Sequence, residues 1–339
     1  MADEIISTGE PFDEETRSEQ AEEALEVETR RYDIPSSMHG WRIDRALAAL
    51  TPEFSRSYLQ QLLSEGAVQW NEALAQKASA KVKVGDLLAV ELRPTQQAMA
   101  FVAEAMPLDV VYEDAHLMVI VKPAGLVVHP AAGHWSGTLL NGLLAHHAGA
   151  AVLPRAGIVH RLDKDTSGLM LVGKSRQAVE ALVRAIAARE VKREYLAIGH
   201  GAWKEGAEVT VDQSIGRDVH NRLRMAVVPS ALGIGKAAKT TVRPLDVKGP
   251  MCLVACRLHT GRTHQIRVHM AWLGHPLVGD TLYGGKVALD MTRQSLHATR
   301  LRLQHPISGE PLAFDALPPA DFLNALNEAG LQYNGLDSE

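Results

Sequence analysis

The sequence predicts an α+β protein in two unequal parts: a small α/β module, then a larger domain on a mostly antiparallel mixed sheet. Three observations carry that expectation. Strand-like apolar runs follow residue 108 without the regular strand–helix alternation of a doubly wound sheet. Two helical stripes and short alternating segments lie close together between residues 38 and 92. Pro94 and Pro107 punctuate a stretch, 93–107, that reads as the linker. At 339 residues, 46% hydrophobic and 22% charged, the chain can bury a sizeable core in each part.

Residues 1–37 read as an acidic, disordered tail, since the first 30 hold 11 Asp/Glu against 2 Arg. Subtracting those from the chain's 35 basic and 40 acidic side chains leaves 33 against 29, so the net charge of −5 conceals a mildly basic body. Such a body is compatible with nucleic acid. The start of the chain has no apolar signal region. Residues 125–154 lack Lys, Arg, Asp and Glu, but Pro130, Pro154, several glycines and four histidines make a strand, loop and helix the better reading than a membrane span. Cys252 and Cys256, in "MCLVACRL", read as packed thiols on one strand face, which suggests a reducing cytoplasm.

In the segment 38–92, Ile43, Leu47 and Leu50 recur at helical spacing. Ser55 is placed to cap a second helix whose stripe is Tyr58, Leu59, Leu62 and Leu63. "AVQW" and "LLAVEL" read as strands, with Gly85-Asp86 as a turn. Arg42, Asp44, Ser55-Arg56-Ser57 and Gly85-Asp86 resemble the pattern of the S4 RNA-binding module, although Asn71-Glu72 departs from its common Asn-Gly turn. Six basic residues balance six acidic ones here, so any RNA grip, including that of Arg42 and Arg56, must come from arrangement on one face. A small protein-docking domain is the plainer alternative.

The larger domain is expected over 108–327, with a C-terminal tail at 328–339. "HLMVIVKP" reads as a buried strand ending at Pro123, and "GLMLVGK", "REYLAIGH" and "MCLVACRLH" as further strands. "TLLNGLLAHH" and "RQAVEALVRAIAAR" read as helices, the second with Val179, Leu182, Val183 and Ile186 on one face. "THQIRVHMAWLGH" reads as a helix starting near Thr263.

Chemistry concentrates in three places. In "HRLDKDTSG", Asp163 precedes a turn of Thr166, Ser167 and Gly168 and then an apolar strand, which would present a carboxylate from a loop on a rigid sheet. A surface turn in which Arg161, Lys164 and the two aspartates neutralise one another is the alternative. In "RLHTGRTHQIRVHM", Arg262, His264, Arg267 and His269 stand at a helix start, and His264 and Arg267 share a face. An Arg among apolar neighbours needs a carboxylate; beside it an Asp would have its pKa lowered by about 1–3 and stay ionised as a nucleophile. Between Arg217 and Arg243, six basic residues including Arg222, Arg224 and Lys239 face Asp218 alone, and Gly233 and Gly235 suggest a mobile loop suited to phosphates.

From Trp41 to about Leu323 the chain resembles the RluA/RluD-type pseudouridine synthases. The resemblance rests on "KPAGLVVHP", "GIVHRLDKDTSGLMLVGK", "KREYLAIGHG" and "HTGRTHQIRVHMAWLGHPLVGD", in that order behind the S4-like module. It implies the pseudouridine synthase fold and conversion of uridine to pseudouridine in RNA. By the same resemblance Asp163 is the nucleophile, Arg267 pairs with it, Tyr195 stacks on the base and assists proton removal from C5, and Arg161 helps extrude the target nucleotide. His160, Arg262 and His264 would complete the substrate-binding wall. A stacked uridine must be flipped before a side chain can reach its glycosidic bond, and basic side chains with an aromatic face offset that cost. No metal or organic cofactor is implied, because uracil leaves and recombines in one pocket. Asp165 is expected to shape the loop.

Within the family the S4 module and "HRLDKDTSGLMLV" look most like members acting on large-subunit (23S) ribosomal RNA, at the helix 69 stem-loop in the pre-ribosomal particle. Other 23S or tRNA uridines are the alternative. The expected protein is a cytoplasmic monomer without membrane attachment. A glycosidase would need paired carboxylates across a sugar bond, which Asp163 and Asp165 would not span. A metal hydrolase could recruit His160, His264 and His269, but the sequence has no His-Glu-x-x-His motif. A non-catalytic RNA-binding assembly factor is the rival from another class.

Overall fold

The computed structural model describes residues 28–54, 56–75, 77–92, 100–131, 134–221, 223–229 and 234–336. The chain divides into two compact units, residues 1–99 and 100–339. In the smaller unit, strands β1 (Glu28–Asp33), β2 (Val68–Trp70), β3 (Ala73–Leu74) and β4 (Leu87–Leu92) form an antiparallel sheet in the order β1-β4-β2-β3. Helices α1 (Ile43–Leu50) and α2 (Arg56–Ser64) cover it. Ile43 and Leu47 from α1, Leu59, Leu62 and Leu63 from α2, and Val68, Leu88 and Val90 from the sheet make one buried core. The predicted cap Ser55 lies outside the described residues.

The expected tail boundary at 37 moves. β1 pairs with β4 along its whole length, from Glu28 opposite Leu92 to Asp33 opposite Leu87. Net charge over a long window hid a short alternation: Arg30 and Tyr32 are half-buried on one face, Tyr32 against the core and Arg30 over the Phe54 ring with Glu28 and Glu53 as ion-pair partners, whereas Thr29, Arg31 and Asp33 are exposed. Asn71 and Glu72 form the two-residue β2–β3 hairpin, both at positive φ (50° and 65°). Asn71 sustains the turn by accepting Leu87 N–H and donating to Asp86.

The larger unit holds β5 (Asp109–Glu113), β6 (Leu117–Lys122), β7 (Ser167–Gly173), β8 (Lys192–His200), β9 (Val209–Asp212), β10 (Ile215–Arg217), β11 (Met225–Val227), β12 (Lys239–Lys248), β13 (Met251–Leu258), β14 (Leu296–Gln304) and β15 (Pro311–Asp315). Its main sheet runs β5-β6-β7-β14-β8-β13-β12-β9 with β15 beside β14, and β10–β11 is a separate hairpin. Every pair is antiparallel except β7 with β14. That parallel pair brings the loop before β7 to the centre of the sheet. It also depends on Gly168: at φ +115° a Cβ there would lie 2.2 Å from Ala298 O.

Helices α3 (Leu139–His146), α4 (Arg176–Ala187) and α5 (Gln265–Trp272) fall at or near their expected places, and α6 (Ala320–Ala329) is a further helix that the sequence reading did not single out. Within α4, Val183 is an exception. It is exposed, because the buried face of α4 runs through Ala178, Val179 and Leu182 instead. Residues 100–107, expected in the linker, belong to the larger unit: Asn141 donates to Ala100 O and Val102 O, and Glu104 accepts Gly137 N–H. The remaining 93–99 lie outside the described residues. The expected C-terminal tail is also packed in part, since Leu331 and Leu336 bury in the core around Phe322. Cys252 and Cys256 are buried free thiols, with burial pushing both pKa values up, Cys252 to about 11.

Candidate active site

Asp163 sits in the loop that enters β7, and the loop is pinned from beneath. Lys122, at the end of β6, is fully buried and donates from Nζ to Pro123 O (2.7 Å), Lys164 O (2.9 Å) and Leu126 O (3.0 Å). Burial pulls its pKa down to about 7, against the opposing pull of Asp165 and Asp163. Three carbonyls nevertheless occupy all three N–H bonds of an ammonium, and only the charged form satisfies them all. Arg293 holds the other side, donating from Nη1 to Asp165 O (2.9 Å) while its other nitrogens grip Asp321 on α6. Asp165 therefore contributes its backbone to the loop, in line with a shaping role.

Across the cavity, α5 begins at an irregular cap. His264 adopts a left-handed conformation (φ 56°, ψ 22°), uncommon for a side chain with a Cβ. Gln265, buried, fastens the preceding loop by accepting from Thr260 Oγ1 (2.7 Å) and Arg262 N (3.0 Å) and donating to Lys239 O (3.0 Å) and Thr240 Oγ1 (2.9 Å). This places Arg267 one turn into the helix, 7% exposed. Its guanidinium reaches Asp163 through Nη1 at 3.3 Å. The stronger bonds go elsewhere: Nε and Nη2 form a two-pronged pair with Asp280 at 2.7 and 2.8 Å. Burial works against that charge, but Asp280 and then Asp163 outweigh it, and the Arg267 pKa rises.

A second buried chain ends at the same carboxylate. Tyr283 Oη accepts Met225 N–H at 2.9 Å and lies 2.7 Å from His264 Nδ1. His264 Nε2 then faces Asp163 Oδ1 at 3.9 Å. Burial lowers the His264 pKa despite Asp163, so the ring is neutral near pH 7. Tyr283 donating to Nδ1 leaves the Nε2 proton directed at the carboxylate. The Tyr283 ring also lies under Arg267, with Cζ 4.9 Å from its centroid.

These groups open onto a cavity of about 470 Å³ lined by Asp163, Tyr195, His160, Arg161, Arg262 and their neighbours. A smaller recess, about 50 Å³, shares Arg161, Asp163, Tyr195 and Arg262 and reaches Arg267 and His264. Tyr195 comes from the centre of β8, opposite Cys256 on β13 and Ala298 on β14, and is 4% exposed. Burial raises its pKa, Arg193 opposes that, and Asp163 adds to it, so the phenol is protonated at neutral pH.

The remaining predicted residues divide. Arg161 is exposed at the cavity rim, and Arg262 lines the cavity while donating from Nε to Ala237 O. His160 lines it too, but its Nε2 accepts Leu171 N–H at 2.9 Å, so this ring holds β7. Burial, then Arg193, pushes its pKa to about 3. Arg224 is bound to Asp218, whose carboxylate also accepts from His220 N–H, and so braces the β10–β11 hairpin. Lys239 holds its loop by donating from its backbone N–H to Thr260. Arg222 and residues 230–233, including Gly233, lie outside the described residues, whereas Gly235 is packed against Val228. In the smaller unit Arg56 is exposed, and Arg42 grips Asp44 through two bonds at 3.0 and 2.8 Å.

The three histidines of the metal alternative serve three different partners: Leu171 N–H for His160, Tyr283 for His264, Thr240 and Gln213 O for His269. No group of three or more metal-ligating side chains occurs among the described residues. Sequence reasoning missed Lys122, Asp280 and Tyr283. The signal was present for two of them, since both "KPAG" and the final Asp of "HPLVGD" sit in the motifs quoted above.

A carboxylate loop parallel-paired into the sheet centre, an arginine-held pocket and a tyrosine in its wall go together with the family matches. Residues 116–272 match the RNA pseudouridylate synthase family and residues 41–88 the S4 domain. The chain belongs to the RNA pseudouridylate synthase family and is a pseudouridine synthase.

Among curated relatives, "Ribosomal large subunit pseudouridine synthase D" of Neisseria meningitidis serogroup B is 47% identical over 316 residues, 90% of this chain and 83% of that protein. The protein of that name from Vibrio parahaemolyticus is 45% identical over 309 residues, 87% of this chain and 93% of its own. Among solved structures, Human RNA Pseudouridylate Synthase Domain Containing 1 is 29% identical with a TM-score of 0.50, covering 63% of this chain and 84% of its own. Human RNA Pseudouridylate Synthase Domain Containing 4, 22% identical with a TM-score of 0.53 over 67% of this chain and 95% of its own, shares the fold.

Proposed function

We propose that this enzyme isomerises uridines of large-subunit (23S) ribosomal RNA, at the helix 69 stem-loop, working as a cytoplasmic monomer. The names of the relatives and the S4 domain support the substrate. No helix among the described residues is long and apolar enough to cross a membrane.

In this reading Asp163 is the nucleophile. The N1–C1′ bond of the extruded uridine breaks, uracil turns within the cavity, and a C5–C1′ bond forms. The proton on C5 leaves and N1 ends protonated, so the atoms of substrate and product balance. Arg267 positions Asp163 from a buried, rigid mount, and Tyr195 offers the base an aromatic face and, as a protonated phenol, a proton-relay group rather than a ready-made base. Arg161, exposed at the rim, fills the gap left by the base, and Arg262 meets phosphate. In the smaller unit, Arg42 and Arg56 add contacts to RNA.

The observation that carries this reading is the Asp163 carboxylate beside Arg267 in the cavity that Tyr195 walls. Asp163→Asn is expected to keep RNA affinity and abolish tritium release from 5-[³H]uridine RNA. Release at the wild-type rate would overturn the nucleophile assignment. Carbodiimide-dependent primer extension on RNA from a deletion strain maps the uridines; pseudouridines missing only from tRNA would replace the ribosomal substrate.

A further inference from the structure

Arg193 stands two residues before Tyr195 on β8, so strand alternation puts both on the cavity face. Glu194, between them, turns away to Arg257 (3.3 Å) and Arg300 (4.0 Å). Arg193 is 5% exposed, yet its side chain forms no hydrogen bond or ion pair among the described residues, and its Nε is buried without a partner. The loop from α5 crosses it at Gly261, where a Cβ would stand 3.2 Å from Nη1. Arg267, equally buried in the same unit, has two carboxylates. A guanidinium buried without an anion is costly, and side chains kept in that state are functional candidates.

The surroundings make the deficit larger. The cavity wall carries Arg161, Arg189, Arg193 and Arg262 against Asp163 as its single carboxylate. Uracil is neutral and calls on Asp163 and Tyr195, not on four guanidiniums. What arginine matches in shape and charge is a phosphate, through paired N–H donors. The neighbouring His259 ring is held neutral by burial and by Lys239, Arg257 and Arg189, in keeping with a positive field at this end.

Resting on the function proposed above, we infer that Arg193 anchors a phosphate subsite at the far end of the cavity, which takes a backbone phosphate flanking the extruded uridine. The cavity then reads a nucleotide with its phosphate. Arg193 binds RNA only once the base is out of the stack, because its guanidinium is not on the outer surface.

The test uses full-length protein and unmodified large-subunit ribosomal RNA carrying 5-[³H]uridine, with Arg193→Gln and Arg193→Lys assayed across a series of KCl concentrations. Arg193→Gln is expected to raise KM about 10–100-fold, the worth of one charged hydrogen bond. The slope of log affinity against log salt becomes shallower by about 0.7–0.9, one phosphate. Without RNA its melting temperature is unchanged or higher, since an unpaired buried charge has gone, and Arg193→Lys recovers most of the KM. Wild-type KM and salt slope in Arg193→Gln would overturn the subsite. So would a fall in melting temperature that accounts for the lost activity, or a kcat loss with a shifted alkaline limb at unchanged KM, which would mean that Arg193 acts through Tyr195. If wild-type protein releases no tritium, the enzymatic reading fails separately. The salt slope of RNA binding, compared between Asp163→Asn and Asp163→Asn/Arg193→Gln, still decides the subsite.

Discussion

The two units use the same ion pair for opposite ends. In the smaller one Arg42 and Asp44 lie two residues apart at the start of α1, with the Arg42 side chain 56% exposed. In the larger one Arg267 and Asp280 pair through comparable distances, but their side chains are 8% and 1% exposed. Water competes for the first pair and screens it, so its loss changes little and its cation is available to a partner. The second pair has no solvent to fall back on. Removing either member strands a charge beside Asp163, and the pair therefore fixes both the fold of α5 and the position of the carboxylate.

The largest way to break that contrast is Asp280→Ala. It leaves Arg267 buried with one 3.3 Å contact to Asp163 in place of three bonds. Loss of about 3–5 kcal/mol is expected in urea unfolding, with activity falling in the protein that remains folded. A loss under about 1 kcal/mol would show that the burial argument fails here, because that is the range of exposed pairs.

Acid should act on the larger unit next. His297 accepts at Nδ1 from Ser167 Oγ while Nε2–H donates to Ala316 O, and burial pushes its pKa down to about 4. His160 follows the same logic at about 3. An unfolded histidine titrates near 6.5, so between pH 6.5 and 4 the unfolded chain binds protons that the folded one refuses. Stability is retained above pH 6.5 and lost as pH falls toward 4, by roughly 3 kcal/mol for His297 alone. Melting temperature measured from pH 7 to pH 4.5 should drop, with a shallower slope in His297→Gln. Equal slopes would remove His297 from the account.

A smaller effect separates the site's two supports. Tyr283→Phe keeps the ring beneath Arg267 and deletes the hydroxyl shared by Met225 N–H and His264. About 1–3 kcal/mol of stability should go with the unsatisfied amide. If His264 serves Asp163, kcat falls on the order of tenfold at little-changed KM, the size of one lost polar contact. A change confined to KM would place this chain in RNA binding.

How much of this was legible beforehand follows local periodicity. The helices α3 and α4 and strands β6, β7, β8 and β13 were readable because apolar spacing encodes them, whereas the meeting of Asp163, Tyr195 and Arg267 in one place was expected only from the family resemblance that the quoted motifs carry. Asp280 as the main partner of Arg267 was not, since a 13-residue separation across a loop leaves no periodic trace. Strand β1 was lost to averaging: its six residues are mostly polar and pair through backbone, which composition does not register. Removing residues 1–33, harmless if they were tail, would instead strip β1 from β4. For His160 a motif records identity but not direction: the ring lines the cavity as expected, but its Nε2 is committed to Leu171 N–H.

The smallest expected change belongs to the smaller unit and completes the comparison. Arg42→Ala breaks two hydrogen bonds to Asp44, yet the carboxylate left behind keeps some contact with water and still accepts Arg45 N–H. No resolvable shift in melting temperature should follow. RNA binding is the sensitive readout: if Arg42 meets phosphate, the salt dependence of affinity becomes shallower by about 0.7–0.9, with a uniform loss across sequences. Asp44→Ala should do the reverse, freeing the guanidinium and removing a nearby negative charge, so affinity rises at low salt and the gain fades at high salt. If both variants leave RNA affinity unchanged, the pair is only a surface contact, and RNA recognition by this unit must rest on other cations such as Arg56.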